Sequence, residues 1–414
     1  MLSRLYAKWM FSWETALTTR DTNRIVRPVE WGFDWLNDFS SDTDSSVIRA
    51  TREPEDLHGS KTPAVANDDL TRMIALNQNI VQHADDFYSY KTPTDFHLER
   101  RHPQLFPTNV RPETLAQDAE LKLQAAVGEL EEADFLRFTS PISTRYPEND
   151  IVNARWYPAS PEKQAGKPKQ AIIVMPQWNA DAFSHNALCT LFNRFGISAL
   201  RLSKPYHDIR RPAELERSDY AVSSNIGRTT AACRQAVIDI RCCIDWLEQQ
   251  GYEQFGVLGT SLGSCYAFIA AAFDPRIQVC AFNHASTWFG DVVWTGQSTR
   301  HIREAFENAN LTQNLVREIF TGISPMSYMD RFAATRTRQT LVVHATYDLT
   351  FLREFSQDVL TNFDRHKVNY VSKVLPCGHY TTGETPYKYI DGWYLGSFIH
   401  SAFKRLAESS PQST

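Results

Sequence analysis

The sequence predicts an α/β fold: a mostly parallel central sheet flanked by helices. Three observations predict it. From residue 134 onward, short apolar runs alternate with longer amphipathic stretches, the pattern of strand–helix units. The runs at 170–176, 255–258 and 277–282 are largely apolar on both sides, as expected of strands covered on both faces. Three of them, ending near Thr260, Asp348 and His379, deliver chemically competent side chains just past a strand end, where open parallel sheets place their sites.

Residues 1–133 lack that alternation and are expected to form a helical and irregular N-terminal extension that packs on the main domain. Its start carries Trp9, Phe11 and Trp13, followed by Trp31, Phe33 and Trp35. So many large aromatics would otherwise leave an apolar patch beyond what soluble monomers expose, so they are expected to dock. Lys8 and Glu14 interrupt any signal-peptide apolar region. A surface-lying membrane anchor is the alternative use of this segment. Residues 38–69, rich in Ser, Asp, Thr and Pro, read as a loop or linker. Residues 91–112 carry four prolines and read as extended, and 113–132 show helical spacing through Leu115, Ala119, Leu123 and Ala126.

The main domain is expected over residues 134–414. Residues 135–142 and 151–158 read as an antiparallel strand pair at the sheet edge, and 170–176 as an apolar strand. A helix over 182–195, a strand over 197–202 and a long helix over 224–250 follow. Residues 255–258 and 277–282 read as buried strands either side of a small-residue helix at 264–272. The alternation lapses at about 287–333, where Trp288, Phe289, Val293, Phe306 and Phe320 suggest helices inserted as a cap. That insertion is either a lid over an apolar pocket or extra helical core. A strand ending before Asp348, a helix over 351–366, a strand over 368–375 and a closing helix over 387–406 complete the chain.

Gly259-Thr260-Ser261-Leu262-Gly263 sits at a strand-to-helix junction. A serine with glycines at −2 and +2 there reads as a nucleophile elbow, a sharp turn that lifts the hydroxyl clear of the sheet. Asp348 and His379 follow, and Ser…Asp…His is the chain order of the α/β-hydrolases. Over about residues 134–407 the sequence resembles that superfamily, distantly its dienelactone-hydrolase and acetyl-esterase members, although dienelactone hydrolases use cysteine as the nucleophile. The resemblance implies Ser261 as nucleophile, His379 as general base and Asp348 as the acid that orients it, with Asp291 as the alternative acid. It also implies an oxyanion hole from the backbone N–H groups of Leu262 and Trp178, the latter in a loop reading Pro176-Gln177-Trp178 where relatives begin His-Gly.

Arg210 and Arg211 would bind a substrate anion or pair with Glu214, Glu216 or Asp219 on the surface. No His, Asp or Glu spacing suggests a metal, and no glycine-rich fingerprint suggests a nucleotide, so neither metal nor cofactor is expected. A net charge of −5 without a basic stripe gives no nucleic-acid footprint. Seven cysteines, most within expected helices or strands, read as small buried hydrophobes in a reducing compartment. No transmembrane segment is expected, and the location expected is cytoplasmic. The expected activity is cleavage of a carboxylic ester, with a small-molecule ester or acyl compound as substrate and peripheral membrane contact allowed. Thioesterase, amidase or peptidase chemistry on the same triad, or a non-catalytic binding scaffold, are the alternatives.

Overall fold

The computed structural model describes residues 2–20, 24–40, 63–101, 103 and 132–409. Within them nine strands share one sheet: β1 (His97–Arg101), β2 (Ala133–Thr139), β3 (Ile151–Tyr157), β4 (Gln170–Met175), β5 (Ile197–Ser203), β6 (Gln254–Thr260), β7 (Ile277–Asn283), β8 (Gln339–Ala345) and β9 (Tyr370–Leu375). The spatial order is β1-β2-β3-β5-β4-β6-β7-β8-β9. The pairings from β1 through β3 to β5 are antiparallel, and all those from β5 to β9 are parallel. The expected edge hairpin is thus extended outward by one more strand. That strand, β1, comes from the proline-bearing stretch read only as extended, and it pairs Leu98 with Leu136.

Strand periodicity divides the core. Ala171, Ile173 and Met175 of β4 enter one hydrophobic layer, while Ile172 and Val174 enter the layer on the opposite face. The first layer holds the long helix Ile226–Gln249 and the helix Leu262–Phe273 that follows the glycine-rich turn. The second holds α1 (Leu2–Thr18), the helix Asn186–Arg194 and the closing helix Tyr387–Ser409.

α1 docks through Met10, Glu14 and Leu17, spaced one and two turns apart, with Tyr6 and Trp13 packed alongside. Trp9, expected among the docking aromatics, is 52% exposed, while Phe11, 41% exposed, meets the Tyr347 ring edge-on at 5.2 Å. Trp31, Phe33 and Trp35 pack half-buried on the other layer.

Two expected elements are redrawn. A helix Pro63–Gln82 takes the end of the expected linker; proline fits its first turn, where no N–H is needed. The helix expected from 182 starts at Asn186, because Asp181 Oδ1 accepts from the N–H groups of Phe183 and Ser184 and His185 is left-handed at φ 71°. The helix expected over 113–132 lies, apart from Glu132, outside the described residues.

Candidate active site

Six consecutive strand ends converge on one region. Ser261 follows β6, His284 follows β7, Asp348 β8 and His379 β9, while Trp178 and Lys204 follow β4 and β5. Ser261 has φ 56° and ψ −121°, a strained conformation for a residue with a side chain, immediately before the helix Leu262–Phe273. Its N–H donates to Asn283 O at 2.7 Å, tying the turn to β7. Both flanking glycines are required by space. A Cβ at Gly259 would lie 2.6 Å from Ser264 Cα, and one at Gly263 would lie 2.7 Å from Pro176 O.

His379 Nε2 stands 3.0 Å from Ser261 Oγ, and His379 Nδ1 stands 3.0 Å from Asp348 Oδ2. Asp348 Oδ1 accepts from the N–H groups of Thr350 and Phe351 at 2.8 and 2.7 Å. Burial penalises the Asp348 charge, but His379 and His284 outweigh it and hold the carboxyl well below its usual range. With the carboxylate ionised, His379 donates through Nδ1, which leaves Nε2 able to accept the serine proton. Burial opposes protonation of His379, yet Asp348 and Glu14 raise its pKa above the ordinary value. Phe351 stacks on the imidazole at 5.3 Å.

Reading from the sequence missed His284. Its Nδ1 donates to the same Asp348 Oδ2 at 2.9 Å, and the two imidazole centroids are 4.5 Å apart. Burial, and then the neighbouring His379, lower its pKa, so His284 acts as a neutral donor. Only its place just past a strand end hinted at this. His284, Asp348 and His379 offer donor atoms within 4.8 Å of one another. Both Nδ1 atoms already serve the carboxylate, so the cluster fits hydrogen bonding better than a metal ion. Asp291, the alternative acid, is held elsewhere by Arg317 at 2.7 Å and Gln313 at 3.0 Å.

The Leu262 and Trp178 N–H groups have no hydrogen-bond acceptor among the described residues. The peptides around Trp178 are fixed by the loop after β5. Lys204 Nζ donates to Gln177 O at 2.9 Å, and the Asn179 N–H donates to His207 Nε2 at 3.1 Å. His207 Nδ1 meets Pro205 O at 2.8 Å, which assigns that proton and leaves Nε2 as acceptor. The Trp178 indole donates to Ser218 O at 2.9 Å. Arg210 is neither anion site nor surface partner. It is fully buried and pairs with Asp239 at 2.8 Å, because the long helix covers this loop. Arg211 instead donates to the Glu216 carbonyl.

Ser261 opens into a cleft with about 510 Å³ of free space, part of it open to solvent. Its walls include Trp178, Val222, Leu262, Phe289, Val292, Val293, Pro325 and Phe351, and among the described residues that line it none is charged. The helical stretch between β7 and β8 therefore divides. Phe289, Val292 and Val293 face the cavity, whereas Phe306 and Phe320 are fully buried core.

The family model for Alpha/beta hydrolase domain containing 18 matches residues 108–374, well over half of the chain. The chain belongs to this family. The fold is accordingly the α/β-hydrolase fold, and the matched residues include Ser261 and Asp348. Among curated proteins, an Escherichia coli "Uncharacterized 31.7 kDa protein in traX-finO intergenic region" is 33% identical over 94 residues. That stretch covers 21% of this chain and 32% of that protein, so the chain spans about a third of the relative's length. Among solved structures, acetyl xylan esterase 1 from Thermoanaerobacterium sp. JW/SL YS485 is 12% identical with a TM-score of 0.49, covering 83% of this chain and 100% of that one. Pyrococcus horikoshii acylaminoacyl peptidase is 12% identical with a TM-score of 0.49, covering 67% and 43%. An esterase of Pyrococcus furiosus is 14% identical with a TM-score of 0.44, covering 73% and 98%. Among the described residues, no helix is long and apolar enough to cross a membrane.

Proposed function

We propose that this chain is a serine hydrolase that cleaves a carboxylic ester through an acyl-enzyme on Ser261. The observation that carries the reading is the line from Ser261 Oγ through His379 to Asp348, with both hydrogen bonds at 3.0 Å. In the first half-reaction Ser261 Oγ attacks the ester carbon while His379 Nε2 takes its proton. The oxyanion forms against the Leu262 and Trp178 N–H groups. Collapse breaks the bond to the alkoxy oxygen, which leaves with the proton from His379. Water then attacks the acyl carbon with His379 again as base, releasing the acid and restoring Ser261. Asp348 orients the imidazole and stabilises its cation throughout.

Preference for an ester with an uncharged acyl group rests on the cavity. Its uncharged, largely apolar wall suits a hydrocarbon acyl chain and offers no ionic anchor for a charged peptide. The test is hydrolysis of p-nitrophenyl esters from acetyl to palmitoyl by wild type and Ser261→Ala. Turnover of at least one ester by wild type, lost in the variant, is expected. Folded wild type inert towards the whole series would overturn the ester reading.

A further inference from the structure

The loop that carries His379 is gripped on both sides by α1. Glu14, with 0% exposure, accepts from the Tyr380 N–H at 2.8 Å through Oε1. Its Oε2 accepts from the Thr381 N–H at 3.0 Å and the Thr381 hydroxyl at 3.1 Å. The Thr381 oxygen in turn accepts from the Gly378 N–H at 2.6 Å, so one carboxylate reaches the backbone before and after His379. About two turns earlier, Tyr6 donates to Pro376 O at 2.5 Å. Contact is so close that a Cβ at Gly378 would fall 2.8 Å from Glu14 Cγ. The glycine that precedes the histidine is therefore explained by α1 and not by the loop alone.

A carboxylate sealed from water is costly unless it is well bonded. The hydrogen bonds of Glu14 all come from neutral donors, and the cation nearest to it in charge terms is His379 when protonated. We propose that Glu14 is a positioning residue for His379, holding its loop in the register that brings Nε2 to Ser261 only while α1 is seated. This rests on the triad assignment of the proposed function. A general base must lie within about 2.6–3.2 Å of the atom that bears the proton it takes, and a misplacement of about 1 Å costs roughly a hundredfold. The other groups facing the imidazole are Asp348 and Phe351 from the loop after β8, His284 after β7, Ser261 after β6 and Tyr380 in its own loop.

The test is Glu14→Gln in the full chain. Glutamine keeps the volume but turns one amide group, donor to donor, against the loop and removes the charge beside His379. The expected result is a kcat on p-nitrophenyl ester lower by roughly 10- to 100-fold with little change in KM. The acid limb of kcat should move to lower pH, because the lost anion no longer favours the imidazolium. Hydrogen exchange of the Tyr380 and Thr381 amides should quicken. A folded Glu14→Gln protein with wild-type kcat, acid limb and exchange overturns the proposal, as does a loss of thermal stability alone. Should that variant not fold, Gly378→Ala tests the same contact from the other side. A folded Gly378→Ala protein should show the same lowered kcat and quickened Tyr380 and Thr381 exchange, because the added Cβ pushes the loop off Glu14, and wild-type values for both overturn the proposal. If wild type hydrolyses no ester, the proposed function fails separately, while amide exchange and the His379 titration by NMR still decide whether Glu14 holds the loop.

Discussion

Asp348→Asn isolates the acid without disturbing the fold, and the structure dictates how the amide must sit. Oδ1 accepts from two backbone N–H groups at 2.8 and 2.7 Å, so the amide oxygen has to occupy that position. Turned over, its NH2 would face two donors, each left unsatisfied at about 1–3 kcal/mol. The NH2 group therefore points at the other side, where His284 Nδ1 and His379 Nδ1 both meet Oδ2. Both imidazoles can accept from it only by moving their protons to Nε2. His379 then presents N–H to the Ser261 hydroxyl and cannot take its proton. Loss of about 10⁴-fold in kcat is expected, roughly 5.4 kcal/mol of transition-state stabilisation. The assay is ester hydrolysis alongside the rate of fluorophosphonate capture, with circular dichroism to establish folding. A folded Asp348→Asn enzyme within tenfold of wild type would refute the reasoning, and a crippled Asp291→Asn beside it would move the acid to that residue.

Three further outcomes follow from the same geometry. Since His379 must be neutral to act and its pKa is raised, kcat/KM should fall as pH drops through a value above the ordinary imidazole value of about 6.5; a limb below it in a pH-rate profile would contradict the assigned surroundings. Gly263→Ala sets a Cβ against Pro176 O, so a stability loss of about 1–3 kcal/mol by denaturant titration is expected, together with lost activity as the strand end shifts. Lys204→Met frees Gln177 O and loosens the loop that presents the Trp178 N–H, so kcat should fall tenfold or more with KM little changed, as for loss of an oxyanion donor measured by steady-state kinetics.

The sheet and the three residues Ser261, Asp348 and His379, which the structure brings together, were legible for local reasons. Apolar runs such as Ala171–Met175 and the paired glycines at 259 and 263 write their geometry into adjacent residues. What was not legible depends on contacts between residues far apart in sequence. Glu14 and Thr381 are 367 positions apart, and nothing in the aromatic-rich start of the chain marks that one acid as buried. His284 looked like any histidine at a strand end until β7 and β8 lay side by side. Arg210 read as a surface cation because its partner, Asp239, lies 29 positions on, in a long helix whose charge pattern gives no sign of the pair. The strand β1 was hidden by its charges: in His97-Leu98-Glu99-Arg100-Arg101 an exposed edge needs no apolar alternation.

The central claim is that Ser261 is an activated nucleophile, and fluorophosphonate labelling tests it most directly. The folded protein should take up one equivalent, found by mass spectrometry on the peptide bearing Ser261. Uptake should be absent in Ser261→Ala and steeply reduced in His379→Ala, where no base remains to take the proton. Folded wild-type protein that resists the probe, or that carries it on another residue, would contradict the account.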